Sequence, residues 1–134
     1  MILTLLHYLG LALAIGGGTA AVILMTRALG DPAAAPALRG AIRPIATLGV
    51  AAIGVLWLTG LAMWVGRYGA SMALGGTWHL KLTAAAVLTG LALLGWGRMM
   101  AGKPLPPKIA RPVLIVQLAA GVTAVGAAIA TFGG

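Results

Sequence analysis

Four long apolar stretches, nearly free of charge, dictate what this chain can fold into, because a helix needs about twenty such residues to cross the hydrocarbon core of a bilayer. The first runs from Ile2 and meets no charge before Arg27. The second starts near Arg39, carries Pro44 early, where a helix tolerates proline, and stays apolar to Gly66, closing on Arg67 and Tyr68. The third begins at Thr77, holds His79 and Lys81 near its start, and ends at Arg98. The fourth follows Pro104, Pro106 and Pro107, opens at Arg111 and Pro112, and continues without charge. Clusters of proline, glycine and charge separate the four. The sequence therefore predicts spans over residues 2–27, 41–66, 77–98 and 111–132 of a single transmembrane domain, 1–134. Unpaired backbone cannot face lipid, so the expected fold class is all-α: an integral membrane, antiparallel four-helix bundle with short loops.

Composition closes off most chemistry. Of 134 residues, 61% are hydrophobic and 7% charged, too few polar side chains to coat a soluble domain. One acidic side chain, Asp31, excludes the paired carboxylates of glycosidases, two-metal nucleases and calcium loops. The lack of cysteine removes disulfides, thiolate metal sites and cysteine nucleophiles. Ala12 and Ala14 form the A-x-A pattern of a signal-peptide cleavage site, but no basic region precedes them and the apolar run is too long, which favours a retained first span.

Charge distribution sets an expected orientation. Four spans put both termini and the second loop on one side, here called side A, and the first and third loops on side B. Side B then holds Arg27, Arg39, Arg43, Arg98, Lys103, Lys108 and Arg111, and side A only Arg67 and Lys81. By the positive-inside rule side B is cytoplasmic, so the expected location is a cell inner membrane with both termini periplasmic or exterior. The net charge of +8 follows from topology and calls for no nucleic-acid partner. Tyr8, Trp57, Trp64, Tyr68 and Trp78 fall in the side A half and read as an interfacial belt.

Polar groups within spans are costly, which singles out His7, His79, Lys81 and Gln117. His7 lies roughly 8 Å along its helix from Ile2. Its helical face continues through Gly10, Ala14, Gly18 and Ala21, small residues that allow another helix or a flat cofactor to approach, so His7 is expected to point inward. It suits either a hydrogen bond between helices or an axial bond to a metal. His79 and Lys81 enter the same leaflet from side A, about 160° apart around their helix, so only one of them can share a site with His7. Periodicity does not choose between them. Each also has a plain alternative, His79 beside Trp78 at the interface and Lys81 snorkelling to the headgroups. Gln117 shares a stripe with Ala120, Gly121, Ala124 and Ala128 and predicts a hydrogen bond between helices. Gly16, Gly17 and Gly18 have no following lysine and form no phosphate loop.

Leu5-Leu6-His7-Tyr8-Leu9-Gly10 leading to Arg27, and Trp78-His79-Leu80-Lys81-Leu82 leading to Arg98, resemble the first and third spans of the HemJ-type protoporphyrinogen oxidases and of copper-resistance-D-like four-helix membrane domains. The two motifs cover about a third of the chain. The resemblance implies a b-type haem held by His7 and Lys81, which breaks the tie against His79 as the second ligand. It further implies a haem-dependent oxidoreductase; an electron-transfer subunit is the related expectation, and the expected partners are the lipid bilayer and either a partner membrane subunit or further copies in a homo-oligomer. The third span departs from the family, reading Thr89-Gly90-Leu91-Ala92-Leu93-Leu94-Gly95 where the family usually has further polar residues and histidine. No span holds a carboxylate that would serve an oxidase as general base. The alternatives are a copper-handling domain, opposed by methionines split between side A (Met1, Met63, Met72) and side B (Met25, Met99, Met100), and a non-catalytic accessory subunit of a larger membrane complex.

Overall fold

The expected spans become four helices in the computed structural model, which describes residues 1–133 and leaves Gly134 outside. They are α1 (Ile2–Gly30), α2 (Ala35–Tyr68), α3 (Gly76–Met100) and α4 (Pro107–Phe132), each long and apolar enough to cross a membrane. The chain is a multi-pass membrane protein of the all-α, four-helix class.

Every helix reaches beyond its expected span, because charged residues near the boundaries stay in the helical hydrogen-bond ladder. At 34 residues α2 is about 51 Å long against a hydrocarbon core of about 30 Å, so Arg39, Arg43 and Arg67 ride on helix standing in the headgroup layers. The prolines behave differently from a simple breaker reading. Pro36 sits in the first turn of α2, where its missing N–H costs nothing, and α2 begins there rather than near Arg39. Pro44 and Pro112 consequently lie inside their helices, not at the ends. Asp31, the one acidic side chain, caps the end of α1 and accepts the backbone N–H groups of Ala33 (3.1 Å) and Ala34 (3.2 Å), turning the chain into α2. At the far end α2 stops on Gly69, whose φ of +56° is the left-handed conformation a helix C-terminus favours.

Residue pairs across the seams give the register. Along α1 and α2, Thr4 meets Met63, His7 meets Thr59, Gly10 meets Ala52 and Leu56, and Gly17 meets Ile45, a descending series that makes the pair antiparallel. Along α2 and α3, Trp57 meets Thr89, Thr47 meets Trp96 and Arg43 meets Met100. Thr77 meets Thr131 and Leu88 lies against Gly121 between α3 and α4. Leu118 of α4 approaches Gly18 of α1, which closes the ring. Neighbours in this ring are α1–α2, α2–α3, α3–α4 and α4–α1; α1 and α3 are diagonal, with no Cα atoms within 8 Å of each other. The α1–α2 and α3–α4 seams are the most extensive, and α2–α3 the least.

Small residues hold the seams. The buried set is mostly alanine, with Met25, Ile42, Ile53 and Trp78 the larger members, while leucine, valine and isoleucine crowd the outer faces. Lipid gives helices little hydrophobic reason to associate, so close backbone approach supplies the attraction and small side chains permit it. The main cluster lies toward side B, where Ala21 and Met25 of α1, Ile42 of α2 and Ala110 of α4 pack together under Met99 and Leu105.

Candidate functional site

The antiparallel register brings His7, five residues into α1, level with Thr59 on α2. Thr59 is buried, and its Oγ1 lies 2.8 Å from His7 Nδ1 and 2.7 Å from the Val55 carbonyl one turn back. The Val55 oxygen can only accept, so it takes the single hydroxyl proton, and the Thr59 oxygen accepts from His7 Nδ1–H. This network assigns the tautomer: Nε2 carries the lone pair. Nε2 has no hydrogen-bond partner among the described residues, and none of their buried side-chain polar atoms is left unpaired, so Nε2 is not sealed off. A hydrogen bond fixing Nδ1 while Nε2 stays open is how proteins orient a ligating imidazole.

Of the two readings of His7, the hydrogen bond between helices is present in the structure. The side chain makes a hydrogen bond between helices, and its second nitrogen remains available. The predicted stripe does turn inward, with Gly10 and Ala21 buried and Ala14 and Gly18 half-buried. Gly60, next to Thr59, makes room for the ring: a Cβ there would stand 3.4 Å from His7 Cε1.

Lys81 on α3 is half-buried at the same end of the bundle. Its Nζ lies 5.2 Å from the centroid of the Phe132 ring on α4, a cation–π distance. His79 goes the other way. It is exposed, edge-on to the Trp78 ring at 5.1 Å. The structure thus brings His7 and Lys81 to one end of the interior from diagonal helices, and leaves His79 on the outer surface.

Aromatic side chains roof this end. Trp78, 3% exposed, packs at 5.4 Å on Trp64, and Tyr68 packs at 5.0 Å on Phe132. Trp64 Nε1 donates to the Ser71 carbonyl at 2.8 Å, tying the α2–α3 loop to the roof. Tyr8 and Tyr68 are exposed, as a belt position requires. The belt reading fails for Trp78, which is core, and for Trp57, whose Nε1 donates to Thr89 Oγ1 at 2.9 Å between α2 and α3. Beside His7, Arg67 Nη2 donates to Thr4 Oγ1 at 3.0 Å, and that hydroxyl points to Met63 Sδ at 3.8 Å.

The donor set limits what can bind. Among the described residues no three His, Cys, Asp or Glu side chains gather around a common point, so the chain alone does not build a polydentate cage for a bare ion. One imidazole and one amine on diagonal helices suit a metal that brings its own equatorial ligands, which a haem does. Gln117, expected to bond across helices, makes no such bond among the described residues although it is half-buried. Thr59 went unnoticed in the sequence, since a threonine hydroxyl satisfied on its own helix raises no alarm in a scan for charge. Matching residues at equal depth from side A would have found it.

Fold and site define a small multi-pass membrane bundle with one oriented imidazole near one end of its interior. Comparison with protein-family models, curated proteins and solved structures returns no match.

Proposed function

We propose that this chain is a small b-type haem-binding membrane protein that serves in electron transfer, with His7 as one axial ligand and Lys81 as the opposite ligand or its close neighbour. The observation that carries the reading is the His7 ring itself: Nδ1 is held by Thr59 at 2.8 Å and Nε2 is left with its lone pair. Thr59 keeps the imidazole in one tautomer and one orientation, so that no rotational freedom is lost when a ligand arrives. Lys81 supplies a second nitrogen donor from the diagonal helix. Trp64 and the buried Trp78 pack on each other at that end of the bundle, at 5.4 Å. A bound haem supplies one-electron chemistry at its iron.

Electron transfer is favoured over substrate oxidation. Stripping hydrogen from a porphyrinogen needs a proton acceptor, and the one carboxylate side chain, Asp31, sits in the α1–α2 turn at the opposite end of the bundle. Electron transfer through a membrane subunit asks only for an oriented cofactor.

The test is an absorption spectrum of the purified protein, reduced and oxidised, after expression with haem supplied. The parent is expected to show a Soret band that His7→Ala abolishes or sharply reduces. Lys81→Met should shift the reduced spectrum and His79→Ala should leave it in place. Loss of haem in His79→Ala with no change in Lys81→Met would assign a bis-histidine pair instead. A colourless parent that gains no band on adding haem ends the haem reading and leaves an accessory subunit in its place.

A further inference from the structure

We infer that the guanidinium of Arg67 receives the carboxylate edge of the cofactor, so that a haem on His7 stands with its propionates toward side A. The inference rests on the haem reading above and adds to it the orientation of the macrocycle in the membrane.

The positive-inside rule accounts for the seven cations of side B and leaves Arg67 outside it, on the side where arginine is disfavoured. Its side chain also runs against the usual direction. Arg67 Nη2 donates to Thr4 Oγ1 at 3.0 Å, and that hydroxyl points to Met63 Sδ. Met63 comes four residues before Arg67 on a helix that runs toward side A, so the guanidinium folds back one turn, about 6 Å, toward the middle of the membrane. A snorkelling arginine turns the other way, to the headgroups. This one bridges two helices, with Thr4 of α1 facing the last turns of α2.

Thr4 and His7 lie three residues apart on one side of α1, so the guanidinium stands about 4.5 Å nearer side A than the imidazole helix position. Thr4 occupies one of its N–H groups, and the others have no partner among the described residues. Asp31, the one carboxylate side chain, is at the opposite end of the bundle. The positive charge therefore faces the site without an anion of its own.

A haem is an apolar disc with two carboxylates on one edge. In a membrane those carboxylates are costly except beside a cation or at the surface. From His7 toward side B the inward stripe of α1 reads Gly10, Ala14, Gly18 and Ala21, and the first cation on that helix is Arg27, twenty residues or about 30 Å away. Toward side A, Arg67 is one turn away. Its planar fork matches a carboxylate in two parallel hydrogen bonds. Lys81 ligates iron only as the neutral amine, which leaves Arg67 to balance the charge.

The test compares haem with its dimethyl ester, which keeps the ring and the iron and lacks both charges. Each is titrated onto the purified chain in maltoside by the Soret band, and the pair is repeated with iron-free protoporphyrin and its dimethyl ester by quenching of tryptophan fluorescence. The diacid-to-ester affinity ratio should be about tenfold higher in the parent than in Arg67→Gln, with ester affinity unchanged. Arg67→Lys should recover part of the ratio. Thr4→Val, which keeps the shape and releases the guanidinium, should lower it, and Arg98→Gln at side B should leave it at the parent value. An unchanged ratio in Arg67→Gln overturns the inference and leaves the haem reading standing. So does an equal loss of diacid and ester, which would give Arg67 to the fold, or an equal fall of the ratio in Arg98→Gln, which would make it an effect of net charge. A parent that takes up neither haem nor protoporphyrin ends the haem reading, and this inference with it.

Discussion

A Cβ built at Gly10 would stand 3.2 Å from the Ala52 carbonyl oxygen and 3.2 and 3.4 Å from Leu56 Cγ and Cδ2. Comfortable contacts between carbon atoms lie at about 3.5–4.0 Å, so the space is short by a few tenths of an ångström on two sides. The leucine can rotate; the carbonyl is locked in the ladder of α2. Overpacking of this kind costs about 1–3 kcal/mol, which puts Gly10→Ala near the lower figure and Gly10→Leu, with three further carbons to place, at or above the upper one. Gly16 is the control. It is exposed, and nothing lies within 4 Å of its built Cβ, so Gly16→Ala should be close to neutral. Both positions are helical in detergent before and after the helices separate, so the difference of about 1 kcal/mol in helix propensity between glycine and alanine largely cancels and the packing term remains. The assay is reversible unfolding by dodecyl sulfate in maltoside micelles, followed by tryptophan fluorescence. Gly10→Ala should lower the midpoint clearly, Gly10→Leu should lower it further, and Gly18→Ala, facing a mobile Leu118 methyl at 3.5 Å, should do little. If Gly10→Leu unfolds at the parent midpoint, the α1–α2 seam is not where these helices meet and the orientation of His7 falls with it.

Thr59→Val removes the hydroxyl that holds His7 and should cost about 0.6–1.7 kcal/mol in the same unfolding assay, the range for hydrogen bonds between membrane helices. It should also weaken haem retention without abolishing it, because the ring loses its tautomer lock but keeps Nε2. A variant that binds haem and unfolds like the parent would remove Thr59 from the site. For orientation, Met72→Cys on the exposed α2–α3 loop should react with a membrane-impermeant maleimide in intact cells, whereas Ala33→Cys in the α1–α2 turn should react only after lysis. The reverse pattern would place side B outside.

Much of this protein could be read without coordinates. The four helices follow from run length and apolarity alone, since in lipid a segment must satisfy its own backbone and helix is the form in which it can. Antiparallel order follows from short connections. The inward face of α1 follows from the spacing of Gly10, Ala14, Gly18 and Ala21. Even the level of the candidate site was legible, because equal distance from one membrane surface places His7 and Lys81 at similar depth.

What could not be read is which helix sits beside which, and at what register. Four similar apolar helices can be arranged around a ring in more than one way, and their outer leucines and inner alanines carry no label for the neighbour. Only packing puts α1 diagonal to α3, so that His7 and Lys81 approach from opposite corners instead of across a shared seam. Packing also turns His79 outward and Trp78 inward, residues adjacent in the chain and about 100° apart around the helix. The same holds for Thr59. Its hydroxyl looks satisfied on its own helix, and its second role exists because the α1–α2 register sets its oxygen against an imidazole nitrogen 52 residues away. Span length is a local property of sequence, and the partner of a buried polar atom is not, because it depends on where another helix comes to rest.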